Sequence, residues 1–481
     1  LILIDGAHLT CADIASVAHL EDEVTIVAEA RDRVLKSHQL AERIAGERAV
    51  YGRTTGVGAN RNVVVADKST HALSLLRSHA SSAGPLREPR RVRAMLVVRL
   101  NQLAAGGSGA SLAVVDGLAA MLAADALPEL REHSSIGTGD LTDLATTALA
   151  LLGEAPTRNP LPVTVKFGEH DALPFLSSNA ATIGDAALAC TELRMLARAY
   201  LVVAGLTFVA AKGNAEAFAE VVERVTPFDG AQQVCRTMRL LTADASPPTR
   251  IQDPFGLRTL PQVHGPALDA LAHLDTVVSR LANAPSENPV MLAGPSEGQF
   301  AHHGGFHAAY LGIALDTTVI ALAQSAQLVV ARLATLMSPL LTGLPPFLGD
   351  GTPGASGVMM LEYIGASVMG ELRAIASPAG LQTAVLSRGF EEDASFAWLA
   401  ARQALGAAGQ LRILLACELV AAVRAIRLLD IPAGSRLLSD AFAACAELPA
   451  NIDDRDLTED IQIAQQVLPG LADIISDLSA F

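Results

Sequence analysis

Apolar residues recur at helical spacing over five stretches, 181–212, 264–283, 307–337, 357–376 and 396–429. Two of these, 307–337 and 396–429, are near 30 residues and almost free of proline or glycine in their middles, which predicts helices about 45 Å long. Helices that long and that apolar bury more than one face, so the pattern predicts a multi-helix bundle with subunit contacts. Before residue 180 the pattern is shorter and more broken. Leu1–Ile4 is an apolar start, followed by the turn signal Asp5-Gly6 and a segment of helical period. Residues 51–62 are glycine-rich and irregular, hence a loop. Helices are expected from about Thr70 to Ser78, ending near Gly84-Pro85, and from about Glu88 to Ala105, stopping at Gly106-Gly107. After 430, Pro432, Pro449 and Pro469 break a more polar region. The expected organisation is a loop-rich helical region at 1–180, a central long-helix bundle at 181–429 and a helical cap at 430–481.

Composition fits a mainly α fold. Hydrophobic residues make up 51% of the 481 positions and aromatics only 4%, so the core is built from small side chains that let helices pack closely. A net charge of −15 repels a phosphate backbone, and nucleic-acid binding is not expected. The basic cluster Arg87 to Arg93, interrupted by Glu88 and Pro89, reads as a solvated or inter-subunit face. Five widely spaced cysteines without a Cys-x-x-Cys pattern fit neither a disulfide framework nor a zinc knuckle, and imply a reducing compartment. No stretch has the regions of a signal peptide. The most apolar run, Ala199 to Ala211, is too short for a bilayer and is followed by Lys212. A soluble cytoplasmic protein with no membrane partner is expected.

Ordered motifs carry the chemistry. Tyr51-Gly52-Arg53-Thr54-Thr55-Gly56-Val57-Gly58, Ser78-His79 with Gly84, Gln252-Asp253-Pro254-Phe255-Gly256-Leu257-Arg258, Asn283 to Pro289, Gly304-Gly305-Phe306-His307 and Glu391-Glu392-Asp393 follow one another along the chain. Together with Gly137-Thr138-Gly139-Asp140-Leu141 they resemble the histidine and phenylalanine ammonia-lyases. The resemblance implies an ammonia-lyase-like long-helix fold and a homotetramer whose active sites are each assembled from three chains. It also implies a small amino-acid-derived substrate. Tyr51 would be the base, which requires neighbours that lower a phenol pKa from near 10. Arg258 would clamp the substrate carboxylate through its planar fork, with Gln252 a weaker polar partner and an ion pair to Asp253 the structural alternative. His79 and Glu392 match positions that recognise an imidazole, and Phe306 fits as an apolar wall. His303 and His307 stand four apart, a spacing that on a helix places both on one face, and His302 adjoins them; no carboxylate or third ligand follows at a motif spacing, so no metal is expected. Gly106-Gly107-Ser108-Gly109 lacks the lysine of a phosphate loop and reads as a helix stop.

Three positions depart from the family pattern. In those lyases an Ala-Ser-Gly tripeptide cyclises into an electrophilic methylideneimidazolone; here Gly137-Thr138-Gly139 stands in its place. Dehydration of Thr138 would leave a methyl on the carbon that the amine must attack, and Gly137 loosens the loop for ring closure. Phe255 replaces a tyrosine, and Ser177-Ser178-Asn179 replaces Asn-Gly-Thr, with the asparagine missing or displaced to Asn179. The groups lost manage the electrophile; the base and substrate-binding groups remain. The expectation is a lyase performing 1,2-elimination of ammonia or trimethylamine from a histidine-like or aromatic amino-acid derivative, without the prosthetic group, as in the branch that acts on ergothioneine. The alternatives are an ordinary ammonia-lyase with a Thr138-derived group, a conjugate-addition or cyclase enzyme, and a catalytically silent homologue.

Overall fold

The computed structural model describes residues 1–294 and 298–476. Long helices Ala180–Ala210, Leu260–Ala282, Ala309–Met337, Met360–Ile375 and Ala397–Leu429 fall on the five apolar stretches. The longest has 33 residues and the next 31. The shorter expected helices form at Lys68–His79 and Pro89–Ala104. The first starts two residues earlier than apolar period suggests, because the Asp67 side chain accepts from the Thr70 N–H and caps it. The second starts on Pro89, whose fixed φ suits a first helical position. Gly106 and Gly109, with φ of +81° and +69°, then turn the chain away. Among the described residues the sheets are three short pairs. Ile2–Ile4 lies parallel to Val24–Ile26, Ala83–Leu86 antiparallel to Arg131–His133, and Val290–Leu292 antiparallel to Gln299–Ala301.

The chain forms two compact units interleaved along the sequence: residues 1–191, 274–316 and 378–402, and residues 192–273, 317–377 and 403–481. The unit borders at 191/192, 273/274, 316/317 and 402/403 fall inside long helices, so each unit gathers pieces distant in sequence.

In the first unit, helix Pro89–Ala104 is buried without interruption from Arg91 to Ala104. This corrects the reading of Arg87 to Arg93 as a solvated face. Arg87, Arg91 and Arg93 are buried, and each finds acidic partners that the local sequence does not supply. Arg87 and Arg91 both bond Asp185, at 2.8 and 2.7 Å, and Arg93 bonds Asp125 at 3.0 Å. Glu88 and Pro89 are exposed, and the half-buried Arg90 pairs with Glu88.

In the second unit, Arg332 and Glu418 form a two-pronged ion pair with neither side chain exposed. Thr207 donates to the same carboxylate at 2.7 Å, and Arg332 reaches the Tyr200 hydroxyl at 3.1 Å. Tyr200 stacks on His264 with ring centroids 4.0 Å apart. Burial pushes His264 down to about 3, so the ring is neutral there.

Two stretches, Ala172–Ala210 and Ala309–Met337, are long and apolar enough to cross a membrane by length and composition. The expectation that no run reaches that length counted only uninterrupted apolar residues. In their most apolar windows 83% and 61% of residues are buried inside the protein, which suits core helices.

Removing one member of a satisfied buried pair leaves the other charge stranded, at a cost of about 3–5 kcal/mol. Glu418→Ala is therefore expected to lower the urea midpoint sharply, by an amount of that order in unfolding free energy. A midpoint within error of the parent would show that the pair contributes little.

Candidate active site

The first unit contains a cavity of about 1180 Å³ lined by Tyr51, His79, Thr138, Ser177, Phe306 and Glu392, among others. Six of the residues expected from motifs hundreds of positions apart thus meet in one place. Gln252, Phe255 and Arg258 do not line it; they belong to the second unit of this chain.

Tyr51 sits on the glycine-rich loop, which is anchored from below by Arg53. That guanidinium is 1% exposed and donates to the Ser108 carbonyl at 2.6 Å. The Gly58 N–H donates to the Tyr51 hydroxyl at 2.8 Å. His302 Nε2 accepts the Tyr51 backbone N–H at 3.2 Å, and burial with the charge of Arg48 lowers the pKa of His302, which keeps the ring a suitable acceptor. Burial pushes the Tyr51 phenol above its usual value of 10. The Gly58 N–H and Arg61 pull it down, while Glu391 pushes it up. Within one chain, then, Tyr51 holds its proton, and it needs further positive charge or donors to act as a base at neutral pH.

The opposite wall is the segment 387–393. Ser387 Oγ accepts the Ala59 N–H at 3.0 Å, and Arg61 lies over the Phe390 ring at 3.6 Å. Glu391, Glu392 and Asp393 are exposed and all line the cavity. Three adjacent carboxylates make a negative rim. His79, the last residue of its helix, is half-buried, with Nδ1 2.9 Å from the Leu75 carbonyl, which leaves Nε2 for the cavity side. His307 Nε2 lies 3.3 Å from Asp393. The three histidines near 305 do not share a face, because residues 302–308 are not helical. His303 has both ring nitrogens engaged by backbone, the Glu287 carbonyl at 2.6 Å and the Gly305 N–H at 2.9 Å.

Residues 137–139 form a tight loop with Gly137 at φ +87° and Gly139 at φ +111°. Asn179 holds it: its Oδ1 accepts the Gly139 N–H at 3.0 Å, and its Nδ2 donates to the Phe306 carbonyl. Ser177 Oγ instead accepts the Asn288 N–H at 3.0 Å. The Gly137 carbonyl accepts from Ser395 Oγ at 2.8 Å and from the Ala308 N–H at 3.3 Å. A β-carbon on Gly137 would lie 2.1 Å from Ser395 Oγ, closer than any real contact. Sequence reading missed Ser395 and Arg61, and it weighed His302 only as a metal ligand, because their partners are set by folding; only the nearness of Ser395 to the Glu-Glu-Asp motif hinted at it.

Below the loop lies a buried charge network. Asp140 accepts from the Thr182 N–H and hydroxyl at 2.8 and 2.9 Å. Arg91 bridges Asp185 and Glu132, Arg402 adds a second contact to Glu132 at 3.1 Å, and Arg87 stands 3.6 Å from Asp143. Burial pushes the Asp143 carboxyl up to about 7 against the pull of Arg87, and Asp140 and Asp185 add to the rise. Burial raises the Asp140 carboxyl as well, against the hydrogen bonds from Thr182 and the charge of Arg87.

Arg258 ends the short helix Phe255–Arg258. The ion pair to Asp253 does not form, since Asp253 binds Arg250 at 2.8 Å. Among the described residues no carboxylate pairs with Arg258, and its Nε is buried without a hydrogen-bond partner. Its guanidinium lies 4.7 Å over the Phe255 ring. Phe255 is 64% exposed, and Gln252 is also exposed.

Two outcomes follow. A carboxyl whose folded pKa is raised stabilises the fold below its unfolded value, and that stability is lost as pH rises through the folded value. Asp143→Asn should therefore gain stability relative to the parent as pH rises from 5 to 8, read as the difference in urea midpoints; parallel curves would refute the buried proton. Gly137→Ala should destabilise by about 1–3 kcal/mol through positive φ and the clash. Adding Ser395→Ala should restore part of that loss, and strictly additive melting shifts would show that the two sites do not touch.

A family model described as "Aromatic amino acid lyase" matches residues 9–447. Histidine ammonia-lyase of Symbiobacterium thermophilum is 31% identical, with 96% of each chain covered, and that of Geobacillus thermodenitrificans is likewise 31% identical with 96% of each covered. Among solved structures, the phenylalanine aminomutase of Pantoea agglomerans superposes with a TM-score of 0.92 at 26% identity, over 97% of this chain and 99% of that one. The ergothioneine-degrading ergothionase of Treponema denticola superposes with a TM-score of 0.91 at 23% identity, over 99% of both chains. The helical fold agrees with these solved structures, and the chain belongs to the aromatic amino acid lyase family, which contains the carbon–nitrogen ammonia-lyases.

Proposed function

We propose that this protein is a lyase that removes an amine from a histidine-like or aromatic amino-acid derivative by 1,2-elimination, and that it does so without a methylideneimidazolone. The observation that carries this reading is the asymmetry of the cavity. Tyr51, His79 and Glu392 line it together, while the position that should supply the electrophile carries Thr138 between two glycines. At 138 the residues fit the prosthetic group poorly, since a threonine-derived alkene bears a methyl on the carbon that accepts the amine. At 137 the place of the alanine methyl is taken by Ser395 Oγ. No step is routed through the group.

In the proposed reaction the Tyr51 phenolate takes a proton from the carbon next to the amine-bearing one. The electron pair forms the new C=C bond as the C–N bond breaks, and the amine leaves with the other pair. A quaternary ammonium leaves as a neutral amine and needs no covalent activation. The rim of Glu391, Glu392 and Asp393 favours such a cation, and His79 with Glu392 can pair with an imidazole ring. The substrate carboxylate falls to Arg258, whose buried Nε has no hydrogen-bond partner among the described residues. Arg258 lies outside the cavity lining, so the proposal includes a homotetramer in which another subunit delivers it. Exposed apolar residues on helix Ala309–Met337, Tyr310 at 80% and Ile313 at 64%, support such burial between subunits. Five buried cysteines outside any disulfide suit a cytoplasmic setting.

A second reading has its own support. The Gly137 carbonyl receives two donors while the Gly139 N–H is held by Asn179, and ring closure would need a polarised carbonyl and an oriented nitrogen there. An ordinary ammonia-lyase with a threonine-derived group is that reading. Intact mass of the purified protein separates the two. The expected mass is that of the unmodified chain; loss of two waters from 137–139 overturns the prosthetic-group-free proposal. Incubation with histidine, its trimethylammonium betaine, ergothioneine and tyrosine should give a conjugated acrylate absorbance from an imidazole-bearing ammonium. Turnover should rise with pH as the Tyr51 phenol ionises. Tyr51→Phe should abolish turnover with the oligomer unchanged, and retained turnover would remove Tyr51 as the base.

A further inference from the structure

Outside the cavity lining, three helices bring together Cys11, Cys190 and Asp275. Cys11 opens helix Cys11–Ala18, Cys190 lies on Ala180–Ala210 and Asp275 on Leu260–Ala282. The two Sγ atoms and a carboxylate oxygen all lie within 4.8 Å of one another. Both thiols are buried, at 3% and 0% exposure, while Asp275 is half-buried and gives the group a route to solvent. All three residues belong to the first unit.

Tetrahedral sites for zinc place thiolate sulfur at about 2.3 Å and carboxylate oxygen at about 2.0–2.2 Å from the metal. Ligand atoms around such an ion stand roughly 3.5–3.8 Å apart, a spacing that the 4.8 Å cluster admits with little movement. Two sulfurs and one oxygen favour a thiophilic divalent cation over magnesium or calcium, which take oxygen ligands. Cys11 follows the capping residue Thr10 at the first position of its helix, where unpaired N–H groups favour a thiolate. In the metal-free protein the Cys190 thiol and burial keep Cys11 protonated, with its pKa well above the usual thiol range. An ion entering must therefore displace thiol protons to solvent.

We propose that Cys11, Cys190 and Asp275 bind one zinc-like divalent cation through two thiolates and a carboxylate, with water at the fourth position, so that the ion staples the N-terminal helix to two long helices. The site is structural, since none of the three residues lines the catalytic cavity. Binding exchanges two thiol protons for the metal and involves no change of oxidation state.

The test uses the purified full chain, kept reduced with a phosphine and equilibrated with zinc, then freed of loose metal. About one zinc per chain is expected by atomic emission. Replacement by cobalt should give a near-ultraviolet sulfur-to-metal charge-transfer band. Cys11→Ser, Cys190→Ser and Asp275→Asn should each weaken zinc binding more than about tenfold, and zinc should raise the melting temperature of the parent but not of the variants. If a serine variant fails to fold, the cobalt spectrum of the parent still decides. No retained zinc, a cobalt spectrum without the sulfur band, or equal zinc retention by the serine variants overturns the proposal. So does a Cys11–Cys190 disulfide found by mass in the protein purified without reductant.

Discussion

Asp185 accepts hydrogen bonds from two arginines, Arg87 and Arg91, and its own side chain has no access to water. The charge on Asp185 is tolerable only because both cations are there, and the cations are tolerable only because Asp185 and Glu132 are. This mutual dependence ties helix Pro89–Ala104, the strand Arg131–His133 and the long helix Ala180–Ala210 into one piece. The loop 137–139 and Asn179 are mounted on that piece. Its rigidity is therefore a condition for any chemistry at Thr138, although none of the charges touches the cavity. Half-broken, such a network would cost more than an apolar core of the same size.

Much of the fold was legible because apolar periodicity is a local signal. The five long stretches became the five long helices, and the motifs on the Tyr51 loop, at His79, at Phe306 and at Glu392 met in one cavity. Side-chain pairing was not legible. Arg87, Arg91 and Arg93 looked solvated because their acids lie 32 to 98 residues away in the chain. The histidines near 305 suggested a helical face where the backbone is irregular, and Arg258 stood near an aspartate that binds Arg250 instead. Cys11 and Cys190 gave no spacing pattern at all, since their meeting depends on two helices crossing. Ser177 and Asn179 were recognised as altered, but only the folded loop shows that Asn179 carries the contact to Gly139.

The cavity also explains why the residues recognised from the family divide into two sets. Those around Tyr51 are complete within one compact unit, and those around Arg258 lie in the other. Burial and Glu391 hold the Tyr51 phenol above its usual range against the pull of the Gly58 N–H and Arg61, so it keeps its proton within one chain. On the proposed tetrameric reading, assembly and activation of the base are the same event, and an isolated chain would be inert for an electrostatic reason rather than an incomplete fold.

Ser395 fills the space where a methyl on residue 137 would lie and bonds the carbonyl of that residue. The two positions are therefore not free to vary one at a time. A lineage bearing alanine at 137 can reach this loop only by losing the methyl before, or together with, gaining the hydroxyl at 395. The reverse path must discard the hydroxyl first and also shift the backbone at Phe396 and Ala397, whose nitrogens would lie 3.0 and 2.9 Å from the new methyl. Each intermediate in the wrong order is an overfilled loop beside Thr138, so the present pair acts as a ratchet on how the tripeptide can change.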